Sequence, residues 1–293
     1  AKMLSREIAT TLGGRFWNKD VYPYSFAEYL NARDIILSKN WMYGKQAAEV
    51  SKAFNDYFLY GGFPELTDVI AKRVWLNDIY SKIFFSDLIV RNKVRNEEAL
   101  GLLVRRLAEN VKQPVSYTRL ANLISSIGIK ISKATVIEFI RYLKESCLIF
   151  PIENYAAKFA ERNSNMKHYF IDNGLLSIFL LDGNTSLLEN IVAIHLYKRY
   201  GAQLYFYNQN IEVDFIIPEA KTAIQVSYSL MDETTCRREV EGLIKLNRVF
   251  PMDNMCIITR DEERIITHES GVSIHVIPVW KWLLEEEPLG TSK

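Results

Sequence analysis

EVDFII at residues 212–217 and IQVSYS at 224–229 put Glu212 and Asp214 two residues apart on one apolar run, and Gln225 and Ser227 two apart on the next. Side chains two apart on a strand share a face. Glu212 and Asp214 are therefore expected to point one way and Val213, Phe215 and Ile217 the other, with Gln225 and Ser227 opposite Ile224 and Val226. Glu189, on the helix predicted before this hairpin, can complete a cluster of Glu189, Asp214 and Gln225. Two carboxylates and an amide are oxygen ligands suited to Mg²⁺, with Asp214 and Glu189 as the metal-binding pair. The chemistry that fits is phosphodiester hydrolysis, which also needs a cation beside the attacking water. At the expected place stands Ser227, a neutral hydroxyl. Lys221 has the strand parity of Gln225 but lies about 13 Å away along an extended strand. The constellation reads as a nuclease site, as a nuclease framework without its chemistry, or as a hairpin with polar ends.

These residues need a sheet flanked by helices, and the chain from 173 to 284 predicts one. The pattern is helix (NTSLLENIVAIHLYKRYG), three strands (QLYFYN, IEVDFIIP, AIQVSYS), helix (TTCRREVEGLIKLNRVF), strand (NMCIITR), and a last strand turning into a helix (VSIHVIPVWKWLL). That alternation describes an α/β domain with a mixed sheet. Residues 285–293 are expected to be a disordered tail.

Residues 114–172 predict helix, turn, helix and a two-stranded hairpin, with Ser116 and Ser132 as N-caps. With a helix before them, these elements make a winged helix. On the second helix Lys133, Thr135, Glu138, Arg141 and Lys144 face outward, while Val136, Phe139, Ile140, Leu143 and the following Leu148 pack inward. Lys130, Lys133, Arg141 and Lys144, with Lys158, Arg162 and Lys167 in the wing, are the candidate DNA contacts, placed where phosphates would lie. Glu138 and Glu145 dilute that charge, and a protein-docking role fits the same elements.

Residues 46–113 carry helical apolar spacing, interrupted by YGGFPE at 60–65, where paired glycines and a proline cannot continue a helix. Before them, RFWNKDVYPYS predicts a short strand and Phe26 the start of a helix. The chain opens on AKMLSREIATTLGGR without an initiator Met and reads as the middle of a folded element, hence as part of a longer protein.

Of the 293 residues, 48% are apolar and 24% charged, ordinary for a globular protein, and 36 basic against 35 acidic residues give a formal charge of +1. Attraction to nucleic acid must therefore be local. No apolar run approaches the ~20 residues that span a bilayer. Cys147, Cys236 and Cys256 are too scattered for a zinc site or a disulfide framework, which points to a cytoplasmic protein. The four histidines form no metal pattern, and no P-loop GxxxxGK[ST] occurs.

AKMLSREIATTLGGR followed by VYPYSFAEYL, then YGGFPE, YFIDNGLLS, LLENIVAIHLYKR and EVDFII…IQVSYSL, form an ordered set. In that order they resemble the C-terminal two thirds of prokaryotic AAA+-type ATPases that carry a C-terminal domain of unknown function, relatives of the archaeal-type ATPases. The resemblance implies a remnant of the ATPase core at 1–45, a helical lid at 46–113, the winged helix at 114–172 and a PD-(D/E)XK nuclease-like domain at 173–284. Arg15 matches an arginine that approaches the γ-phosphate, and ATP and Mg²⁺ are implied for the full-length parent. Glu189, Asp214 and Gln225 fall on the nuclease positions, with Ser227 at the lysine. Walker A and B are absent from this chain. The expectation is a mixed α and α/β multidomain chain from an ATP-binding protein, with DNA as partner, self-association compatible, and a nuclease-like domain that does not cut. An active Mg²⁺-dependent nuclease and a protein-interaction module are the alternatives.

Overall fold

The computed structural model describes residues 19–158, 162 and 164–284. Arg15 and the tail at 285–293 lie outside them. The described chain is mixed α and β, with ten α-helices and a mixed sheet of nine strands.

The first half is helical. Helix α1 (Phe26–Asn31) starts at Ser25, whose hydroxyl accepts the Glu28 N–H while the Glu28 carboxylate accepts the Ser25 N–H, a reciprocal cap. In α2 (Lys45–Tyr60), Val50, Ala53, Phe54, Tyr57 and Phe58 recur at three- and four-residue spacing and are all buried. Helix α3 (Lys72–Lys82) runs on into a π-helical segment, Ile83–Val90, and α4 (Glu97–Glu109) follows. The strand expected in RFWNKDVYPYS does not form over its described part, residues 19–25. Pro23 lacks an N–H, and the Tyr24 N–H is taken by the Gly62 carbonyl at 2.7 Å.

Next come β1 (Val115–Ser116), α5 (Tyr117–Ser125), α6 (Lys133–Glu145), β2 (Ile149–Asn154) and β3 (Asn165–Phe170). Ser116 and Ser132 cap α5 and α6 by accepting the N–H groups of Arg119 and Thr135. Val136, Phe139, Ile140, Leu143 and Leu148 are all buried, as their spacing predicts.

The remainder is α7 (Asn173–Ser177), α8 (Asn184–Tyr200), β4 (Tyr205–Asn208), β5 (Glu212–Ile217), β6 (Thr222–Val226), α9 (Glu233–Val249), β7 (Asn254–Thr259), β8 (Arg264–Thr267), β9 (Ser273–Pro278) and α10 (Val279–Trp282). The sheet order is β1-β3-β2-β4-β5-β6-β7-β9-β8. Pairs β2/β4, β6/β7 and β7/β9 are parallel and the others antiparallel. The boundary expected at 172/173 does not interrupt this sheet: β2 pairs with β4 through Glu153–Tyr205 and Asn154–Phe206. The Asn154 side chain tightens the junction, donating to the Asn208 carbonyl and accepting the Asn208 N–H. One core runs from Phe26 to Leu283 beneath α8, and a second lies under α9, around Val240, Leu243, Ile244 and Leu246.

Candidate functional site

Helix α8 is buried on nearly all sides, and Glu189 and Asn190 are buried with it. A buried carboxylate needs partners. For Glu189 they come from β3: the Tyr169 hydroxyl donates to Oε1 at 2.7 Å, and Lys167 Nζ lies 3.2 Å from the same oxygen. Lys167 Nζ also lies 3.1 Å from Asp214 Oδ1 and 3.6 Å from Glu212 Oε1. Lys167 and Tyr169 share one face of β3, and the lysine is fully buried, its ammonium 5.6 Å from the Phe206 ring centroid. This corrects the expectation that Lys167 is a wing lysine on DNA: it is the cation of the carboxylate cluster. In a flat sheet β3 and β5 would lie about 14 Å apart, three strand spacings. Lys167 Nζ nevertheless reaches Asp214, across a β2/β4 junction that only two residue pairs make.

Strand β5 also departs from the expected alternation of Glu212 and Asp214 against Val213, Phe215 and Ile217. Tyr205 pairs with Ile216 but Tyr207 with Val213, so β5 carries an extra residue between them, a β-bulge. Simple alternation fails there: Val213 and Ile216 both pack under α9, and Phe215 and Ile217 join the larger core. Beyond Phe215–Ile224 the β5/β6 ladder stops, and side chains replace it. Gln225 Oε1 accepts the Asp214 N–H at 2.9 Å, and its Nε2 donates to the Glu212 carbonyl at 3.1 Å. Asp214 Oδ2 accepts the Val226 N–H at 2.9 Å. Gln225 is thus a splint across the splayed strands rather than a third ligand. The Ser227 hydroxyl, expected at the lysine position, donates to the Ser229 carbonyl.

Glu189, Glu212 and Asp214 open on a cleft of about 720 Å³ between the β5/β6 ends and α9. Across it, Glu239 is buried and paired with Arg238. Lys112 bridges to the Thr185 hydroxyl at 2.9 Å. Burial pushes the Glu189 carboxyl up to about 7, with Lys167 opposing and Asp214 adding to the rise. Lys167 is held above the usual lysine range, its three carboxylates outweighing burial. Burial also raises Glu239.

The Mg²⁺ expected at Asp214 and Glu189 does not fit these residues. Each Asp214 oxygen already accepts a bond, Glu189 Oε1 accepts two, and the Gln225 amide is committed to backbone. Among the described residues no group of three or more His, Cys, Asp or Glu side chains is arranged to hold a metal ion.

Lys130, Lys133, Arg141 and Lys144 are exposed around the start and outer face of α6, and Lys158 is exposed after β2. The structure does not bring these together with the carboxylates. Arg162 is not free for DNA: its guanidinium donates to the carbonyls of Ala157 and Tyr155.

Four buried or partly buried groups, Glu189, Asp172, His168 and His195, couple stability to pH. Burial raises Glu189 from 4.5 to about 7 and Asp172 from 3.8 to about 6, so on acidification the folded chain binds these protons before the unfolded chain does. Burial lowers His168 and His195 from 6.5 to about 4, so there the unfolded chain binds first. The carboxyls add stability as pH falls through about 7 to 4.5, and the histidines remove it as pH falls from 6.5 toward 4. Stability should therefore change little between about pH 6.5 and 4.5. In Glu189→Gln one opposing proton is gone, and stability should fall over that window by about 1.4 kcal/mol per pH unit. Urea midpoints across pH check this, and parallel profiles for the two proteins would sink it.

A family model described as a domain of unknown function (DUF8612) matches residues 51–186. An uncharacterized protein of Methanocaldococcus jannaschii is 31% identical over 298 residues, covering 97% of this chain and 67% of the relative. One of Haemophilus influenzae is 30% identical over 294 residues, covering 97% of this chain and 69% of the relative. No solved structure matches. Aligned along almost its whole length with an archaeal and a bacterial protein, the chain belongs to the family that those two proteins represent.

Proposed function

We propose that this chain is the DNA-binding part of an ATP-dependent, AAA+-type protein. In this reading α4, β1, α5, α6, β2 and β3 form a winged helix, the helices before them a lid, and the sheet around Asp214 a PD-(D/E)XK-like framework that does not cut. ATP, Mg²⁺ and Arg15 belong to the nucleotide half of a longer parent.

The observation that carries DNA binding is the state of charge on α6. Lys130, Lys133 and Lys144 are exposed and form no ion pair with a described residue, whereas the acids on that surface are engaged, Glu138 by the Tyr142 hydroxyl and Glu145 by Arg141. Two of the lysines stand at the helix N-terminus, where the backbone dipole also favours phosphate. The non-cutting half is supported by the Lys167 ammonium among the carboxylates and by the committed Gln225 amide.

Fluorescence anisotropy with a labelled duplex over a salt series tests the reading. Affinity should fall linearly on a log–log plot, and Lys130→Glu with Lys133→Glu should weaken binding and make the slope shallower by about 2, at roughly 0.9 per lost phosphate contact. Binding that is absent or indifferent to salt overturns it and favours protein docking. Plasmid incubated with Mg²⁺ or Mn²⁺ should stay intact; cutting abolished by Asp214→Ala overturns the non-cutting half.

A further inference from the structure

We infer that the carboxylate cluster is a cation site filled by the chain itself: the Lys167 ammonium stands where a divalent ion would have to stand, and the native protein takes up no Mg²⁺ or Mn²⁺ there. The inference deepens the non-cutting reading and rests on it.

Three carboxylate oxygens from two elements converge on one nitrogen, Glu189 at 3.2 Å, Asp214 at 3.1 Å and Glu212 at 3.6 Å. The ammonium donates hydrogen bonds to Glu189 Oε1 and Asp214 Oδ1, and its third proton is left facing the Glu212 carboxylate as an ion pair. These separations suit an ammonium, whereas Mg²⁺ requires oxygens at about 2.1 Å in a near-octahedral shell. A divalent ion and the ammonium cannot share the cluster, because they would stand about 3 Å apart with like charge. Nor has the lysine an exit: its side chain is fully buried and passes over the Phe206 ring. Arg238, which also lines the cleft, is already bound to Glu239. Lysine is therefore the resident cation.

The inference implies that removing the ammonium creates what the native chain lacks. As spaced in the native chain these carboxylates do not form a metal site among the described residues, but in Lys167→Ala the Asp214 Oδ1 and Glu189 Oε1 atoms are released from the ammonium and can draw in on a hard divalent cation, which suits oxygen donors. Mn²⁺ serves as the probe, followed by loss of its free-ion electron paramagnetic resonance signal and by thermal unfolding of the full chain. Wild type should show no saturable uptake and a Tm that does not move with Mn²⁺. Lys167→Ala should take up Mn²⁺ saturably, with a Tm that climbs with its concentration, and adding Asp214→Asn should abolish both. If Lys167→Ala does not fold alone, Lys167→Ala with Glu189→Gln removes one of the charges the lysine offset and should show the same rise in Tm. Saturable uptake by wild type that Asp214→Asn abolishes, or folded lysine variants that ignore Mn²⁺, overturns the inference. Wild type that takes up Mn²⁺ but leaves plasmid intact overturns this inference alone; wild type that also cuts overturns the non-cutting reading with it.

Discussion

Replacing Lys167 by methionine should lower the stability of the folded chain by about 3–5 kcal/mol, the range for removing one partner of a buried ion pair. Methionine fills much of the lysine's volume, so the loss is one of charge rather than of packing. Glu189 has a 4% exposed side chain and Asp214 14%, and neither can recover its lost partner from water; Glu212, at 42%, can, and contributes little. The intact network is not itself a large source of stability, because burying the ions offsets most of their attraction. The asymmetry produces the effect: the variant keeps the burial and loses the attraction. The Glu189 carboxyl, already pushed up to about 7, offers relief by taking a proton. The defect of Lys167→Met should therefore shrink as pH falls below 7, and Lys167→Met with Glu189→Gln should lose less than the sum of the single variants. Urea unfolding followed by circular dichroism reads all of this. A loss below about 1 kcal/mol would show that the cluster does not need its cation.

Why Lys167 was illegible follows from its surroundings. A strand with one wet face announces itself by alternation, but β3 is buried on both faces from Met166 to Phe170, with Lys167 and Tyr169 facing the carboxylates and His168 facing Tyr117. MKHYF after a polar loop reads as a wing with a basic tip. The available signal was an isolated lysine enclosed by apolar and aromatic neighbours. Gln225 was misread for a related reason: its amide bonds to the backbone at Asp214 and Glu212 beyond the point where the β5/β6 ladder stops, and a run of apolar residues does not mark that point. Strand β8 was missed because it is a short, largely exposed edge. What depends on local chemistry was legible: the Ser116 and Ser132 caps, the inward face of α6, and the helix that brings Glu189 toward Asp214. Which strand would supply the missing cation depended on a pairing between distant segments, β2 with β4, and no local pattern encodes it.

The same dependence on distant pairing explains the second large effect, at YGGFPE. Gly61 → Ala should cost about 4 kcal/mol or more, from backbone strain and from broken hydrogen bonds to a buried carboxylate. Gly61 ends α2 with φ 79° and ψ −164°, a region that is essentially glycine's alone. A Cβ there would fall 2.0 Å from Asp172 Oδ1. Asp172 cannot simply yield. Its Oδ2 accepts the Gly62 N–H at 2.7 Å, and its Oδ1 accepts those of Gly174 at 2.8 Å and Leu175 at 3.3 Å. These bonds tie the end of α2 to the start of α7, joining YGGFPE to YFIDNGLLS across 110 residues. Strain at Gly61 contributes about 1–3 kcal/mol, and displacing the carboxylate adds about 1.5–3 kcal/mol for each charge-assisted bond broken. A double-mutant cycle separates the two parts. With Asp172→Ala the clash is gone, and the remaining penalty of Gly61→Ala should fall to the strain alone, a coupling of about 1.5–3 kcal/mol for each bond that the clash would have broken. Unfolding free energies of the four proteins decide it. Additivity within about 0.5 kcal/mol would mean that Gly61 matters only for its backbone, and that the carboxylate is not what requires a glycine beside it.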